Sequence, residues 1–268
     1  MKKIELIQKE HKVKIGDKCP TIEPNITEDC LFTSNGEVIG FYIKNIGDYS
    51  EKALKLVELA NKEFKSKNVP KSTLNSRLLT NGYDNITGKG KYLYNTKQYS
   101  TILGGVSPKP HMRRPYNTIS SVHNVKTAQT FIKAMVGLAV ESEKIIKQIA
   151  PELYNKQLEI FKNVIPEYKF GNLFTSSISN YNINADYHRD IANISNTVNV
   201  IITKRLNSKG GNLHVPDYDA TIDQCNNSML VYPAWRNIHG VTPIIPTFEG
   251  GYRNSLIFYP LKAFLNKE

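Results

Sequence analysis

The chain has 268 residues, of which 40% are hydrophobic and 22% charged, and its 35 Lys and Arg residues against 24 Asp and Glu give a formal net charge of +11. This composition excludes fibrous, collagenous and wholly disordered proteins, and a chain of this length buries a full core without disulfides or a structural metal. The positive charge favours an anionic partner, nucleic acid being the commonest, although a genomic bias toward Lys, Asn and Ile explains it equally well.

The sequence supports neither membrane insertion nor export. The longest apolar run, residues 134–140, is far below the roughly 20 residues that cross a bilayer, and the N-terminus lacks the apolar region of a signal peptide. Cys19, Cys30 and Cys225 lie at scattered spacings that fit neither a disulfide framework nor a zinc site. We expect an intracellular protein, in the cytoplasm of a bacterial or phage-infected cell or in a nucleus, with no obligate protein partner evident.

The first third of the chain predicts a β-hairpin followed by a helix. Residues 31–34 and 37–43 flank Asn35-Gly36, a strong signal for a two-residue turn. Ser50 is a suitable N-cap, and apolar residues recur at helical spacing after it until about Lys67.

Residues 68–123 predict an irregular, basic segment. Gly, Pro, Asn, Ser and Tyr are frequent there and apolar periodicity is weak, which is typical of a functional loop. No acidic residue occurs between Asp84 and Glu141. Basic residues interleaved with tyrosines suit a phosphate backbone and stacked bases, so the candidate nucleic-acid contacts are Lys109, Arg113 and Arg114. A solvated loop with a few packed tyrosines is the alternative.

Two helices and then a series of short strands are predicted for the rest of the chain. The helices lie at 125–149 and 152–164, and the strands at 173–183, 197–203, 212–215, 229–232, 238–242 and 253–259. Short strands separated by Asn-, Gly- and Asp-rich turns are typical of a β-sandwich or jelly roll. We therefore predict an α+β fold in a single domain, 1–268, with a hairpin, helices and basic loop over 1–169 and the catalytic core over 170–262.

Two histidines and a carboxylate in the strand-rich part form a candidate metal site. His188 and Asp190 are two residues apart, so in an extended chain their side chains point to the same side, and His239 lies on or beside a later predicted strand. Two His and one carboxylate form the facial set that binds non-haem Fe(II) and leaves further positions open. Taken alone, the His-Arg-Asp triplet fits a polar surface turn better than a ligand pair.

Arg253 and Ser255 form a candidate carboxylate-binding pair. They are two residues apart on the last predicted strand and therefore share one face of it. The residues that follow, 256–259, are apolar, so the strand is expected to be buried. A buried guanidinium requires an anionic partner, and Arg binds a carboxylate through two parallel hydrogen bonds.

Together these motifs resemble the Fe(II)/2-oxoglutarate-dependent dioxygenases, whose core is a double-stranded β-helix, a distorted jelly roll. Within that superfamily, three stretches resemble the TET/JBP group of nucleic-acid base dioxygenases: Gly210-Gly211-Asn212-Leu213 with Pro216 after it, residues 235–243, and residues 253–259. The resemblance implies a double-stranded β-helix core with the N-terminal helical and loop-rich portion packed on it.

The resemblance also implies cofactors and a reaction. Fe(II) would be held by His188, Asp190 and His239, 2-oxoglutarate would be bound by Arg253 and Ser255, and O2 would be the oxidant. The implied reaction is hydroxylation of the methyl group of 5-methylcytosine or thymine in DNA, and a base in a duplex must leave the stack to react. Two alternatives stay open: a hydroxylase of a protein side chain or small molecule, and a non-catalytic nucleic-acid-binding protein of this fold.

The sequence does not assign a binding role to the other polar and aromatic residues near the motifs. A structural role is expected for His214 and a packing role for Trp235. Asn180, Asn182 and Asn199 lie in or near strands leading toward the site, and periodicity does not decide whether they bind a ligand or complete the sheet.

Overall fold

The computed structural model describes residues 1–79, 94–108 and 115–266. Its helices are α1 (Glu51–Lys65), α2 (Gln129–Ile149) and α3 (Pro151–Ile160). Its strands are β1 (Lys2–Glu5), β2 (Cys30–Ser34), β3 (Glu37–Ile43), β4 (Ser72–Leu79), β5 (Tyr94–Val106), β6 (Thr118–Ile119), β7 (Ser176–Tyr181), β8 (Ala185–His188), β9 (Asn199–Leu206), β10 (Ser208–Gly210), β11 (Leu213–Val215), β12 (Ala220–Ile222), β13 (Met229–Tyr232), β14 (His239–Val241), β15 (Ile244–Pro246) and β16 (Tyr252–Tyr259). The protein is a mixed α+β structure, as predicted. None of the helices in these residues is long and apolar enough to cross a membrane.

Two sheets form the framework of the molecule. The large sheet has the order β1-β2-β3-β13-β9-β16-β7-β5-β4, and a four-stranded sheet has the order β12-β11-β14-β8. From β7 onward the chain passes repeatedly from one sheet to the other: β7, β9, β13 and β16 lie in the large sheet, and β8, β11, β12 and β14 in the small one. These strands pair antiparallel, and the alternation is that of a jelly roll.

Strand β16 contributes side chains to both faces of the large sheet. Successive side chains of a strand point to opposite faces. Leu256 and Phe258 therefore pack into the core between the sheet and helices α1 and α2, while Arg253 and Ser255 face the interior of the jelly roll. The helices cover the outer face of the large sheet, and the small sheet covers its inner face.

The predicted hairpin and first helix are confirmed. β2 and β3 pair antiparallel around Asn35 and Gly36, which both have positive φ, 53° and 80°. This is the conformation of a tight type I′ turn, for which Asn-Gly is the preferred sequence. Helix α1 begins after Ser50, whose hydroxyl accepts a hydrogen bond from the Ala53 backbone N–H at 3.1 Å, the expected N-cap interaction.

The prediction that residues 68–123 are irregular is wrong for residues 72–79 and 94–106, which form strands β4 and β5. β4 and β5 form a long antiparallel pair, and β5 also pairs with β7, placing Thr101 opposite Ser179 and Ile102 opposite Ile178. The sequence of β5 is mostly polar and lacks the alternation that marks a strand. It is extended because the edge of β7 supplies hydrogen-bond partners, and this tertiary pairing overrides local propensity.

Strands from both halves of the chain share the large sheet. β3 pairs with β13 on one side, and β5 pairs with β7 on the other. The portion before residue 170 therefore extends the sheet as well as covering it with helices. This arrangement surrounds β7, β9 and β16, the strands whose inner faces line the interior of the jelly roll.

Candidate metal centre and co-substrate pocket

The structure brings His188, Asp190 and His239 together. His188 is the last residue of β8 and His239 the first of β14, and the two lie directly opposite each other in the antiparallel pair, with ring centroids 4.4 Å apart. Asp190 follows two residues after His188. One donor atom from each residue lies within 4.8 Å of the others, close enough for all three to meet one metal ion.

Backbone hydrogen bonds orient both imidazole rings. His188 Nδ1 donates to the carbonyl oxygen of Asp186 at 2.8 Å, and His239 Nδ1 donates to the carbonyl oxygen of Asn237 at 3.1 Å. Because a carbonyl oxygen only accepts, each ring carries a proton on Nδ1, which leaves Nε2 as the ring atom that can bind a metal. Such outer contacts are typical of metal-binding histidines, since they set the tautomer and the ring orientation.

The charge state of His239 also suits a ligand. Burial lowers its pKa, and the neighbouring His188 lowers it further, while Asp190 opposes the shift. The ring is therefore neutral, which is the form that coordinates a metal. His188 Nε2 lies 3.6 Å from Asp190 Oδ1, so these two atoms face the same point.

The three side chains open into a cavity of about 440 Å³ inside the jelly roll. Its walls include an apolar set, Ile178, Ile201, Leu213, Val241 and Ile257, and a polar set, Asn180, Asn193, Asn199, Gln224, Arg253 and Ser255. A largely apolar cavity with a few convergent polar groups is the usual form of a small-molecule site.

The buried side chain of Arg253 lines this cavity. It is only 3% exposed and Ser255 only 2%, and among the described residues the Arg253 Nε atom has no hydrogen-bond partner. Burial lowers the pKa of the Arg253 guanidinium to about 9, with a smaller contribution from Arg205. A buried charge of this kind is unfavourable unless an anion pairs with it, so the pocket is suited to a carboxylate.

The glycine pair before β11 makes room for this arginine. Gly211 has φ +69°, and a Cβ placed on it would lie 2.5 Å from Arg253 Cδ and 2.9 Å from Ile244 Cγ1. Only glycine fits both this backbone conformation and this contact. The Gly-Gly motif is part of the resemblance to the TET/JBP group, but no local feature of the sequence indicates its contact with Arg253.

The asparagines that the sequence left undecided divide between two roles. Asn180 and Asn199 line the cavity. Asn182 instead accepts a hydrogen bond from the Arg253 backbone N–H at 2.9 Å, so it holds the end of β16. Asn193 was missed: it donates to Asn199 Oδ1 at 2.8 Å, and no local signal in the sequence indicates this contact.

The residues expected to be structural have ordinary partners. His214 Nδ1 lies 2.9 Å from the Thr221 hydroxyl, and Trp235 Nε1 donates to the Thr197 carbonyl oxygen at 2.9 Å. The candidate nucleic-acid contacts Lys109, Arg113 and Arg114 lie outside the described residues, so their predicted role stays a prediction.

A family model described as the oxygenase domain of the 2OGFeDO superfamily, Tet_JBP, matches residues 106–262, more than half of the chain. The chain belongs to the Tet_JBP oxygenase family. It is therefore a dioxygenase enzyme, as predicted, and membership of this superfamily implies Fe(II) and 2-oxoglutarate. No curated protein sequence matches this Tet_JBP oxygenase.

Two solved structures are similar to this chain at low sequence identity. NgTET1 in complex with 5mC DNA is 14% identical, with a TM-score of 0.54 over 94% of this chain and 86% of that one. A 2OG-Fe(II) oxygenase family oxidoreductase from Burkholderia pseudomallei is 12% identical, with a TM-score of 0.45 over 82% of this chain and 83% of that one. The first of these likenesses supports the jelly-roll fold of the Tet_JBP oxygenase.

The residues present fit both implied groups. Two imidazoles and one carboxylate are nitrogen and oxygen donors of the kind Fe(II) prefers, and they occur without a thiolate. The unpaired guanidinium in the same cavity fits a dicarboxylate co-substrate.

Proposed function

We propose that this oxygenase hydroxylates the methyl group of a 5-methylpyrimidine base, 5-methylcytosine or thymine, in DNA, using Fe(II), 2-oxoglutarate and O2. One observation carries the proposal: an unpaired buried arginine and a His-Asp-His cluster share one cavity in a chain whose family is named for TET and JBP oxygenases. The whole described chain would act as one dioxygenase domain, because the large sheet draws strands from both of its halves.

His188 Nε2, His239 Nε2 and Asp190 Oδ1 would hold the iron. Bound Fe(II) supplies the chemistry that decarboxylates 2-oxoglutarate to succinate and places one oxygen atom of O2 into a C–H bond. The protein contributes the orientation of the three donor atoms. The Nδ1 hydrogen bonds to backbone carbonyls fix the orientation of both rings and leave Nε2 of each ring to bind the metal.

Arg253 and Ser255 would bind the far carboxylate of 2-oxoglutarate. The guanidinium fork presents two parallel N–H donors to a carboxylate, and the neighbouring hydroxyl adds a third. Both residues are on the inner face of β16, whereas His188 ends β8, His239 begins β14 and Asp190 follows β8. Arg253 is nearly fully buried, so the ion pair is screened little by solvent.

The cavity walls would exclude water and direct the substrate methyl group. Ile178, Ile201 and Ile257 project into the cavity from three neighbouring strands of the large sheet. An apolar wall offers no competing hydrogen bonds, so a methyl group enters it with little loss of solvation. A base flipped from a duplex loses stacking that is worth a few kcal/mol, and contacts to the phosphates and within the pocket would offset this loss.

Three observations support DNA as the substrate. The chain carries a net charge of +11, the family model is named for TET and JBP, the group of nucleic-acid base dioxygenases that the sequence resembles, and NgTET1, solved with 5mC DNA, has a similar fold. Lys109, Arg113 and Arg114 would contact phosphates, since they lie in a stretch free of acidic residues.

The proposal is tested with purified protein loaded anaerobically with Fe(II) and then mixed with 2-oxoglutarate, air and DNA containing both thymine and 5-methylcytosine. Mass spectrometry of the digested nucleosides should show one added oxygen on one of the two bases, and an equal amount of succinate. His188→Ala should abolish both products, whereas His123→Ala, which alters a histidine bonded to the Gly104 backbone, should retain them.

Each other outcome contradicts a definite part of the proposal. Succinate without an oxidised base would support the iron- and 2-oxoglutarate-dependent reaction but refute DNA methyl groups as the substrate. The substrate would then be a protein side chain or a small molecule. Neither product from protein that retains iron would refute the dioxygenase reaction. Oxidised base from the His188→Ala variant would refute the ligand assignment.

A further inference from the structure

The second oxygen of the Asp190 carboxylate is already engaged by the protein. Asp190 Oδ2 accepts a hydrogen bond from Asn199 Nδ2 at 3.0 Å, and Asn193 Nδ2 lies 3.5 Å from the same oxygen. Asn199 is 3% exposed and Asn193 5% exposed. The other oxygen, Oδ1, is the one that faces His188 Nε2. The two oxygens of one carboxylate therefore have different surroundings.

The direction of these hydrogen bonds follows from the chemistry of the groups. An ionised carboxylate only accepts, so the amide nitrogen of Asn199 must face Asp190. This leaves Asn199 Oδ1 toward Asn193, whose Nδ2 donates to it at 2.8 Å. The result is a relay in which Asn193 orients Asn199 and Asn199 holds Asp190. The negative charge of the acceptor strengthens the final hydrogen bond of the relay.

Both asparagines are fixed to the framework of the jelly roll. Asn199 is the first residue of β9 and pairs with Tyr232 of β13, and its side chain faces the cavity as Ile201 does two residues later. Asn193 lies in the segment between β8 and β9, where its backbone N–H donates to the Asp190 carbonyl oxygen at 2.9 Å and it bridges to Leu261. The side chains of the relay therefore extend from backbone positions that are held by hydrogen bonds and strand pairing.

We propose that Asn199 is a positioning residue that restricts Asp190 to binding the metal through a single oxygen. This inference rests on the proposed function, because it assumes that Asp190 is an iron ligand. To present both oxygens to a metal, the carboxylate would have to give up the Asn199 hydrogen bond and leave a buried amide N–H without a partner, which is unfavourable.

Restriction to one oxygen matters for the reaction. A set of three single-atom protein ligands leaves three adjacent metal positions open, enough for a co-substrate that chelates through two atoms and for O2. A carboxylate that bound through both oxygens would take one of these positions. Asn199 would thus keep open the metal position that the proposed reaction needs, and it acts through its hydrogen bond to Asp190.

Metal binding without turnover tests this role. Mn(II) serves as the probe, its dissociation constant is measured by titration, and the number of bound waters is counted from the broadening of its electron paramagnetic resonance lines in water enriched in oxygen-17. In Asn199→Leu, which keeps the size of the side chain and loses the donor, we expect about 10- to 100-fold weaker binding and one fewer bound water. Asn199→Gln, which retains an amide donor, should recover part of the affinity.

The control is Asn61→Leu, which removes an equally buried amide from α1 whose donor bond, 3.1 Å long, goes to the Tyr252 hydroxyl. It should leave both the Mn(II) affinity and the water number unchanged. Circular dichroism verifies that each variant is folded, and Asn199→Ala replaces the leucine variant if that one does not fold.

The outcomes separate this inference from the proposed function. A folded Asn199 variant with unchanged affinity and water number would overturn the positioning role, and weaker binding with an unchanged water number would overturn the single-oxygen assignment. Unaltered Mn(II) binding by His188→Ala would instead overturn the metal site itself.

Discussion

Replacing Gly211 by alanine tests the co-substrate pocket without touching any candidate ligand. The residue has φ +69°, and its Cβ would lie 2.5 Å from Arg253 Cδ. Carbon atoms in contact are about 3.5–4.0 Å apart, so the stem of Arg253 must move by about 1 Å. Because Arg253 lines the cavity, this movement displaces the guanidinium that would bind 2-oxoglutarate.

The expected magnitude follows from what the displaced guanidinium loses. A hydrogen bond to a charged group contributes about 1.5–3 kcal/mol, and about 1.4 kcal/mol corresponds to a tenfold change in affinity. Loss of one such bond to the far carboxylate of 2-oxoglutarate should therefore weaken its binding by roughly 10- to 100-fold. The left-handed conformation adds about 1–2 kcal/mol of strain to alanine, which lowers the free energy of unfolding.

Gly250→Ala separates the contact from the strain. Gly250 has φ +72°, and a Cβ on it would meet nothing within 4 Å, so this variant carries the backbone strain alone. Calorimetric titration of 2-oxoglutarate into metal-loaded, oxygen-free protein should show weakened binding only in Gly211→Ala, with Mn(II) affinity unchanged in both. Equal 2-oxoglutarate affinity in the two variants would refute the packing of Gly211 against Arg253 as a determinant of the pocket.

Three further predictions concern charge and protonation. Arg253→Lys keeps the positive charge but loses the two parallel donors, so 2-oxoglutarate binding measured by the same titration should weaken by roughly tenfold or more, with Mn(II) binding retained; unchanged affinity would contradict its role. Burial lowers the pKa of His214 below its ordinary value of 6.5, so the unfolded chain takes up a proton first as pH falls through that value. The free energy of unfolding, measured in urea, should therefore decrease below that pH. The decrease should be smaller in His214→Gln, and an identical pH profile in that variant would refute the contribution of His214. Substituting both Arg113 and Arg114 by Ala should weaken DNA binding and reduce the slope of log affinity against log salt by about 2, one for each lost phosphate contact; an unaltered slope would place the DNA-binding surface elsewhere.

Local signals in the sequence were sufficient for the hairpin, the helices and most strands of the jelly roll. Asn35-Gly36 dictates a turn because both residues adopt positive φ readily. Ser50 dictates a helix start because its hydroxyl satisfies an N–H that the helix leaves free. Spacing of two residues also placed Arg253 and Ser255 on one face of β16, as the structure has them.

The sequence did not predict which strands pair when they are far apart along the chain. β5 is extended only because β7 and β4 lie on either side of it, and its polar sequence carries no periodicity of its own. Strand β8, which ends at His188, was not predicted either, since it has only four residues and most of them are only partly buried. Residues that pair across a sheet are separated by long stretches of chain, and nothing in a local window records their partners.

For the candidate site, too, the sequence predicted some features and the tertiary structure decided the others. The sequence by itself supplied the chemical identity of the groups: two histidines, a carboxylate, an arginine and a hydroxyl, in an order that resembles a known family. Only the tertiary structure decided that His239 lies opposite His188, that Gly211 packs on Arg253, and that Asn199 occupies one oxygen of Asp190. These contacts depend on distances of a few ångströms between separate strands, and such distances are fixed by the packing of the sheets against each other.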